Sequence, residues 1–433
     1  MGFVSVPSLL SGSQNKNNKN LISDSSGIID LPKGFDYNVI SEEGQVMNDG
    51  LLVPSNADGM TCFQGENNNI ILIRNHEIGH VPRIQKFYQD TPFGKNFKTY
   101  IEKNKNKFYD IKGSKTECFG CTTTIVYNLK TKQTVAQFLS LGGTLVNCSG
   151  GITPWGTWIT CEETVNKKGS GLYKNHGYAF EVKPTETPFL NEAIPLKKMG
   201  RFRREAVCIN PLNGDVFQTE DRDNGLFYKY VPKIKNKLEK GGQLQAMKIQ
   251  GFNGKSTANW TKSIFEKNQK YKVEWINIKN YNSPKDNLRN QGRNKGCATF
   301  ARGEGMYYYN GSIYFTATTG GKNRLGQIWK YNISKEDYDT IELIFESSSK
   351  SELNMPDNII VAPWGDIIIC EDGKGRDRLV GIKPNVEIYY IASNALNNAE
   401  FAGVTFSPDG SVLFVNIYNP TMTLAISGPW DSL

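Results

Sequence analysis

A short pattern of apolar and polar positions recurs along the chain. Each copy begins near an acidic residue or a cysteine, runs through two apolar segments separated by a glycine-containing turn, and ends on polar residues. The copies lie at 57–77, 148–163, 204–221, 303–319, 356–372 and 400–416. Two apolar segments joined by Asn-Gly, Asp-Gly or a similar turn are typical of β-hairpins. The pattern therefore predicts a series of similar hairpins.

A third apolar segment, rich in aromatic and β-branched residues, follows several of these hairpins. These segments lie at 122–129, 177–184, 225–232, 326–333 and 379–384. A repeated hairpin with an outer strand predicts the blades of a β-propeller, because each blade buries its faces only against its neighbours. We expect an all-β, six-bladed propeller in a single domain over residues 1–433. Residues 1–30 form an N-terminal extension in this prediction, and long inserted loops at about 79–115 and 233–295 lie on one face.

Composition agrees with this class and narrows the partners. The chain has 38% hydrophobic residues and 42 glycines, enough for a large core and many turns. Its net charge is +8, but the basic residues are dispersed among asparagines, so we expect attraction of anionic substrates and no nucleic-acid partner. No segment has the apolar length of a membrane span. The first residues, Met1 to Asn20, lack the basic and apolar regions of an export signal.

Four of the eight cysteines, Cys62, Cys161, Cys208 and Cys370, lie in or beside apolar runs, where a free thiol packs as a small hydrophobic group. Cys118 and Cys121 form a CxxC motif that no second CxxC accompanies. A metal site, a redox pair and a local disulfide all remain open for this motif.

Acidic residues recur at the same position of the repeat. The residues that enter each hairpin are Asp58, Cys148, Glu205, Glu304, Asp357 and Glu400. A second tier ends several hairpins and contains Asn75, Glu77, Glu162, Glu163, Glu220, Asp221, Glu371 and Asp372. In a propeller both tiers reach one mouth of the central channel, where unpaired carboxylates repel and bound cations are the simplest compensation. Carboxylates suit calcium and a thiolate favours iron or zinc, so the pattern predicts a mixed cation site.

The same acids also have a purely structural interpretation, since acidic residues beside glycine often cap turns or pair with arginine.

Two further residues have side chains that suit a bound anion. Arg302 lies two positions before Glu304, which in a strand places both side chains on one face, and arginine binds phosphate with two donors. Asn75 lies at the mouth end of its hairpin and carries amide donors for a phosphoryl oxygen.

These residues resemble those of the PhoX-type alkaline phosphatases. The matching segments are LPKGFDYNVIS, DGM followed by LIRNHE, GGTLVNCSGGITPWGTWITCEE, GRFRREAV followed by TEDR, FARGEG, PDNI followed by CEDG, and EFAGVTFSPDGSVLFVN. They span about residues 31 to 416. The resemblance implies a six-bladed propeller with two ferric ions bridged by a cysteine thiolate, an oxo group, and two or three calcium ions. It also implies a periplasmic or extracellular location.

The resemblance assigns roles motif by motif. Cys148 of NCSGG is the implied thiolate. The other implied or candidate metal ligands are Glu163, Glu205, Glu304, Asp357, Glu371 and Asp372. Asn75 of RNHE and Arg302 of FARGEG are the implied phosphate-binding and catalytic residues.

We therefore expect a monomeric, metal-dependent alkaline phosphatase that hydrolyses small phosphate monoesters, and some diesters, to release inorganic phosphate. Two alternatives come from other classes. A calcium-dependent propeller lactonase or esterase shares the acid-lined channel but needs no thiolate. A non-enzymatic binding propeller would use the acids only as turn caps, and it predicts neither bound metal nor phosphatase activity.

Overall fold

The computed structural model describes residues 20–80, 91–112, 116–334 and 337–433. Within these ranges the chain consists mainly of short antiparallel strands with two short α-helices, which confirms the prediction of an all-β fold. Most of the predicted N-terminal extension and part of the first predicted insert lie outside the described residues. No helix among the described residues is long and apolar enough to cross a membrane.

The strands of the first half are β1 (Leu21–Ile22), β2 (Ile29–Pro32), β3 (Asp36–Glu42), β4 (Ala57–Gln64), β5 (Asn69–His76), β6 (Gly120–Asn128), β7 (Gln133–Thr144), β8 (Asn147–Ile152), β9 (Trp158–Glu162), β10 (Ala179–Val182), β11 (Arg204–Ile209), β12 (Val216–Glu220) and β13 (Tyr228–Pro232). Those of the second half are β14 (Gly242–Ile249), β15 (Lys270–Asn277), β16 (Gly303–Tyr309), β17 (Ser312–Ala317), β18 (Gln327–Asn332), β19 (Thr340–Glu346), β20 (Pro356–Val361), β21 (Ile367–Glu371), β22 (Arg378–Ile382), β23 (Ile388–Asn394), β24 (Phe401–Phe406), β25 (Val412–Ile417) and β26 (Met422–Ser427). The helices are α1 (Phe97–Asn104) and α2 (Leu288–Arg293), with 3-10 turns at Lys197–Met199, Leu238–Lys240 and Trp430–Ser432.

The described strands form five antiparallel sheets. Their strand orders are β4-β5-β6-β7, β10-β9-β8, β11-β12-β13-β14-β15-β19-β18-β17-β16, β1-β2-β23-β22-β21-β20 and β24-β25-β26-β3. The predicted hairpins are all present, as β4–β5, β8–β9, β11–β12, β16–β17, β20–β21 and β24–β25. The turn between β16 and β17 illustrates the sequence signal from which the hairpins were predicted. Asn310 and Gly311 both have positive φ angles, of 46° and 78°, and this backbone suits the twist of a tight hairpin.

The first strands of the hairpins pack against one another in succession. β4 contacts β8, β8 contacts β11, β11 contacts β16, β16 contacts β20, β20 contacts β24, and β24 contacts β4. The sheets therefore surround a common axis in a propeller-like arrangement. The sheet that contains β24 is completed by β3, which pairs with β26, so strands from opposite ends of the described chain close the arrangement.

The described parts of the predicted inserts and extension contain regular secondary structure. The segment 233–295 contributes β14 and β15 to the nine-stranded sheet, where β15 pairs with both β14 and β19. The described part of 79–115 contains α1, which buries Phe97 and Ile101. Of the predicted extension, β1 and part of β2 belong to a sheet with β23. The connections from β1 to β2 and from β14 to β15 run over residues 23–28 and 250–269, so they are longer than the tight turns by which the hairpins were recognised.

Apolar side chains between the sheets hold the arrangement together. The largest cluster lies within the nine-stranded sheet and is rich in aromatic rings. Phe227 from one half of this sheet and Phe315 from the other have ring centroids 4.6 Å apart. Burying each such side chain contributes about 1.5–3 kcal/mol. The packed faces fix the inner strands, which carry the site.

Candidate metal centre

An irregularity recurs in the first strand of each hairpin. In β4, β8, β11, β16 and β20 the pairing with the next strand skips two residues, the first of which is an acid or the cysteine. These pairs are Asp58 and Gly59, Cys148 and Ser149, Glu205 and Ala206, Glu304 and Gly305, and Asp357 and Asn358. Such β-bulges bend a strand and redirect a side chain. The sixth strand, β24, has its bulge three residues after Glu400.

In four of the five bulges the second residue is Gly, Ser or Ala, which suits the close approach of neighbouring inner strands. A Cβ atom at Gly59 would lie 2.6 Å from Ser149 Cα in the neighbouring inner strand. A Cβ atom at Gly305 would lie 2.7 Å from the carbonyl oxygen of Asp357. Larger residues would push the inner strands apart. The bulge and the small residue together place the preceding side chain on the axis.

The second strands of the hairpins end on pairs of polar residues that divide their roles. The first member of each pair is turned into the sheet and hydrogen-bonded there. His76 contacts Ser55 and Thr123, Glu162 contacts His176, Glu220 contacts Arg289 and Tyr228, and Glu371 contacts Arg378. The second member, one residue further along, carries a charge that raises the pKa of a bulge residue, as Glu77 does for Asp58 and Asp372 does for Asp357. Alternation of side chains at a strand end explains this division.

We call the resulting set the axial group. Its members are Asp58, Glu77, Cys148, Glu163, Glu205, Asp221, Glu304, Asp357, Asp372 and Glu400. Two subsets are compact enough for a cation. Ligand atoms of Cys148, Glu163 and Glu205 lie within 4.8 Å of one another, and so do those of Glu205, Glu304 and Asp357. Glu205 belongs to both subsets, which is the position expected of a residue between two neighbouring cations.

The axial group is electrostatically incomplete without cations. Burial raises the pKa of Glu205, and the charges of Glu304 and Asp357 raise it further. Burial and the charge of Asp372 raise the pKa of Asp357 to about 7. Glu163 Oε1 is buried and has no hydrogen-bond partner, and Arg203 Nε approaches it only to 3.4 Å. Buried carboxylates require a compensating charge, so these residues fit bound cations.

Cys148 is the one thiol in the axial group. Its Sγ atom is buried and lies 3.5 Å and 3.7 Å from the carbonyl oxygens of Arg204 and Glu205. Burial raises the pKa of the Cys148 thiol, and the neighbouring charges of Glu205 and Glu163 raise it further. A soft metal ion would reverse this preference, because a metal-bound cysteine is a thiolate. The carboxylates around it are ligands for harder ions.

Arg302 lies among the acids of the axial group, but strand alternation does not account for its position. It precedes β16 and has a φ angle of 54°, so its side chain does not follow strand alternation. Its guanidinium forms ion pairs with Asp221 at 2.9 Å, Glu304 at 2.8 Å and Asp372 at 3.6 Å. The charge of Glu304 raises the pKa of Arg302 despite its burial. Burial alone would raise the pKa of Asp221, but Arg302 outweighs it and lowers that pKa.

Asn75 has a different environment from the one expected. Its Nδ2 donates to the carbonyl oxygens of Cys148 at 3.0 Å and Ser149 at 2.7 Å. Its Oδ1 accepts from Trp158 Nε1 at 2.9 Å. All the polar atoms of the side chain are therefore engaged, and the amide ties β5 to the bulge that carries Cys148.

The structure brings six of the seven candidate metal ligands together and leaves one apart. Glu371 accepts hydrogen bonds from Arg378 Nε and Nη2 at 2.7 Å and 2.6 Å, and from the backbone N–H of Asn354 at 2.7 Å. Glu371 is therefore the first member of the pair that ends β21, and its side chain is turned into the sheet and not towards the axis. Asp372, its neighbour, belongs to the axial group.

Four acids of the axial group were recognised in the repeat but not among the candidate ligands. They are Asp58, Glu77, Asp221 and Glu400. Tyr418, whose hydroxyl donates to Glu77 at 2.6 Å, was missed altogether. Tyr418 lies two residues beyond the sixth copy of the repeat, but it follows β25 directly, as Asp372 follows β21.

Beyond the bulges the inner strands surround a cavity of about 310 Å³. Its lining includes Thr61, Ile152, Val207, Tyr307 and Thr405 and contains none of the axial acids. The acids therefore occupy one end of the axis, and this mostly apolar cavity continues from them along the other strands.

The fold and this centre define an all-β, propeller-like protein with a group of metal ligands on its axis. The sequence model described as alkaline phosphatase PhoX matches residues 16–421. The chain belongs to this PhoX family, and it is a metal-dependent phosphatase that hydrolyses phosphate esters.

One solved structure supports the fold, and a second is reported for comparison. The structure of PhoX from Pseudomonas fluorescens in complex with vanadate, a transition state analogue, is similar with a TM-score of 0.66 and 17% identity, over 94% of this chain and 97% of that chain. A gluconolactonase from Xanthomonas campestris has a TM-score of 0.42 and 9% identity, over 92% of this chain and 97% of that chain. At these identities the likeness concerns the fold alone. No curated protein matches the chain in sequence.

Proposed function

We propose that the chain is an alkaline phosphatase for phosphate monoesters, with some diesters as a second substrate class, and that its five sheets make six blades. The nine-stranded sheet would count as two blades joined through β15. In this proposal the whole chain is one propeller. The observation that carries the functional proposal is the axial group, in which buried carboxylates, one thiol and one arginine share a small space.

We propose two ferric ions and two or three calcium ions in the axial group. The ligands in this proposal are Cys148, Glu163, Glu205, Glu304, Asp357 and Asp372. Glu371 is left out because Arg378 and a backbone N–H already engage its carboxylate. When bound, the ions supply positive charge that offsets the charge on phosphoryl and leaving-group oxygens. The thiolate favours iron, and the surplus of carboxylates favours calcium.

Arg302 orients the phosphoryl group in this proposal. Its guanidinium is now paired with Asp221, Glu304 and Asp372. Carboxylates that bind cations hold arginine less strongly, so its donors become free for two phosphoryl oxygens. The left-handed backbone at Arg302 fixes the direction from which the side chain enters, and such a conformation is rare for a residue other than glycine.

Asn75 acts on the substrate only indirectly in this proposal. Its amide holds the carbonyl groups of Cys148 and Ser149, and so fixes the bulge that carries the thiol. We therefore assign it as a positioning residue. The expectation from sequence, that it donates to the phosphate, requires both of these hydrogen bonds to break.

The test combines metal analysis with hydrolysis of an aryl phosphate ester at alkaline pH. Arg302→Ala should retain its metals and lose about 100-fold or more in turnover. Arg302→Lys keeps the charge but not the planar fork, so it should be intermediate. Arg376→Ala is the matched control, because that arginine is half exposed and pairs with Asp30 away from the axis. Normal turnover of Arg302→Ala would overturn its role.

The same assay separates the alternative classes. Cys148→Ala should lose iron and activity together, whereas Cys208→Ala removes another buried thiol from an inner strand and should keep both. Full activity of an iron-free Cys148→Ala would favour a calcium-dependent lactonase or esterase. Absence of both metal and hydrolysis in the native protein would favour a binding propeller.

We further propose that the protein is a monomer that acts in the periplasm or outside the cell. The support is the family, whose members are generally exported. Size-exclusion chromatography with light scattering tests the first point. Fractionation of the native host, followed by immunodetection, tests the second, and recovery in the cytoplasmic fraction would contradict it.

A further inference from the structure

A second group of metal-ligating side chains lies outside the axial group. Asp110, Cys118 and His176 each offer one ligand atom, and these atoms lie within 4.8 Å of one another. All three residues are buried, with relative exposures of 1%, 1% and 0%. They come from three separate segments, after α1, before β6 and before β10. Such convergence of a thiol, an imidazole and a carboxylate is the usual composition of a transition-metal site.

Two of the three distances between ligand atoms are within a few tenths of an ångström of those around tetrahedral zinc. His176 Nε2 lies 3.7 Å from Cys118 Sγ and 3.0 Å from Asp110 Oδ2. Zinc bonds of about 2.0–2.3 Å at tetrahedral angles separate nitrogen from sulfur by about 3.5 Å, and nitrogen from oxygen by about 3.4 Å. An ion therefore fits with shifts of a few tenths of an ångström. We propose that Asp110, Cys118 and His176 bind a divalent zinc-like cation, separate from the phosphatase centre.

The surroundings of the histidine support this assignment independently. His176 Nδ1 lies 2.6 Å from Glu162 Oε1, and Glu162 Oε2 accepts from the backbone N–H groups of Gly177 and Tyr178. Histidines that bind metals through one nitrogen commonly donate the other N–H to a carboxylate. This contact fixes the tautomer that turns the unprotonated Nε2 towards the cation. Asp110 is oriented likewise, by the backbone N–H groups of Tyr173 and Lys174.

The site also accounts for half of the CxxC motif. Both cysteines are free, so the motif does not form a disulfide in this structure. Cys118 belongs to the triad formed by Asp110, Cys118 and His176. Cys121, in contrast, is fully buried among apolar side chains such as Phe119 and Leu139. The two thiols therefore differ in role although they are close in sequence. This difference offers a matched pair of variants.

The triad adjoins the phosphatase centre through one strand end. Glu162 contacts His176, and the next residue, Glu163, belongs to the axial group. The zinc-like cation would therefore fix the end of β9 from the outer side. Its loss should lower stability and leave the axial metals in place. This outcome is distinguishable from failure of the proposed phosphatase centre, in which iron and activity are lost.

The experiment measures zinc, iron and calcium by mass spectrometry in protein purified from zinc-supplemented medium without chelators. We expect about one zinc per chain in the native protein. Cys118→Ala should lower the zinc content at least tenfold, to about a tenth per chain, and retain iron. Cys121→Ala should keep both metals. Native protein that is active and iron-loaded but free of zinc would overturn the proposal, and so would a Cys118→Ala variant that retains zinc.

A second measurement covers the case in which Cys118→Ala does not fold. Anomalous scattering from crystals of the native protein, collected on both sides of the zinc absorption edge, locates the ion directly. We expect a zinc peak between Asp110 Oδ2, Cys118 Sγ and His176 Nε2. A peak elsewhere, or none at this place, would leave His176 as a buried imidazolium between two carboxylates and would overturn the proposal.

Discussion

Glu371 and Asp372 are adjacent carboxylates with opposite roles, and two isosteric substitutions separate them. Glu371 is 1% exposed and accepts both of its ion-pair hydrogen bonds from Arg378, whose side chain is 10% exposed. Removing one charge from a buried pair costs about 3–5 kcal/mol, because the other charge stays buried without compensation. Glutamine preserves the shape and one acceptor oxygen, so we expect Glu371→Gln to lose about 3 kcal/mol, the lower end of this range.

Asp372 gives the opposite expectation. Its side chain is 36% exposed, and its contact with Arg302 is long, at 3.6 Å. Asp372→Asn should change the stability of the metal-free protein by less than about 1 kcal/mol, since weak, partly exposed pairs contribute little. It removes a charge from the axial group, so the native protein should lose bound metal and turnover.

Denaturant unfolding of chelator-treated protein measures the first effect without the contribution of bound ions. Metal analysis and phosphatase assays of untreated protein measure the second. The assignment of Glu371 to structure and Asp372 to metal binding is refuted if Glu371→Gln loses metal while its free energy of unfolding stays unchanged. It is equally refuted if Asp372→Asn keeps its full complement of metals and its full turnover.

Three further predictions follow from the same geometry. In chelator-treated protein the melting temperature should fall as pH rises, because folding raises the pKa of Asp357 from 3.8 to about 7. The protonated carboxyl stabilises the fold fully below about pH 3.8, and this contribution is lost as the pH rises through about 7. A profile that is flat in the metal-free protein would contradict this. Gly305→Ala should lower the free energy of unfolding by about 1–3 kcal/mol, because the added Cβ clashes with the neighbouring inner strand. Gly79→Ala is the control, since a Cβ there has nothing within 4 Å. Equal melting curves for the two variants would argue against the crowding at Gly305. Asn75→Ala should lower stability and iron content at unchanged KM, because it leaves Trp158 Nε1 and two carbonyl groups unpaired; a raised KM with intact iron would instead make Asn75 a phosphate ligand.

The hairpins and the recurrence of acids were predictable from sequence because both follow from short-range rules. Asn-Gly and Asp-Gly turns mark a reversal of the chain, and the residue that enters the inner strand lies a similar number of positions before each turn. The outer strands were harder to predict. β14 and β15 are separated by residues 250–269, a connection too long for a tight hairpin turn, and β15 pairs with strands from two different parts of the chain.

The site was predictable at the level of the group but not of each side chain. Whether Glu371 or Asp372 faces the axis depends on the strand register at the end of β21, and the amino-acid sequence alone does not determine that register. Arg302 reaches the acids through a left-handed backbone, which sequence does not announce for a residue other than glycine. Asn75 is occupied by carbonyl groups of a strand far from it in sequence, and only the folded chain reveals such partners.

The pairing of β3 with β26 determines when the centre can form in the cell. During synthesis the acids near the start of the chain emerge first and remain unpaired, while Glu400 and the strands that close the arrangement emerge late. Domains fold as units once their sequence is available, so the axial carboxylates converge only after β26 has been synthesised. We therefore expect the ions of the proposed centre to bind after β3 and β26 have paired, in the compartment where that pairing takes place.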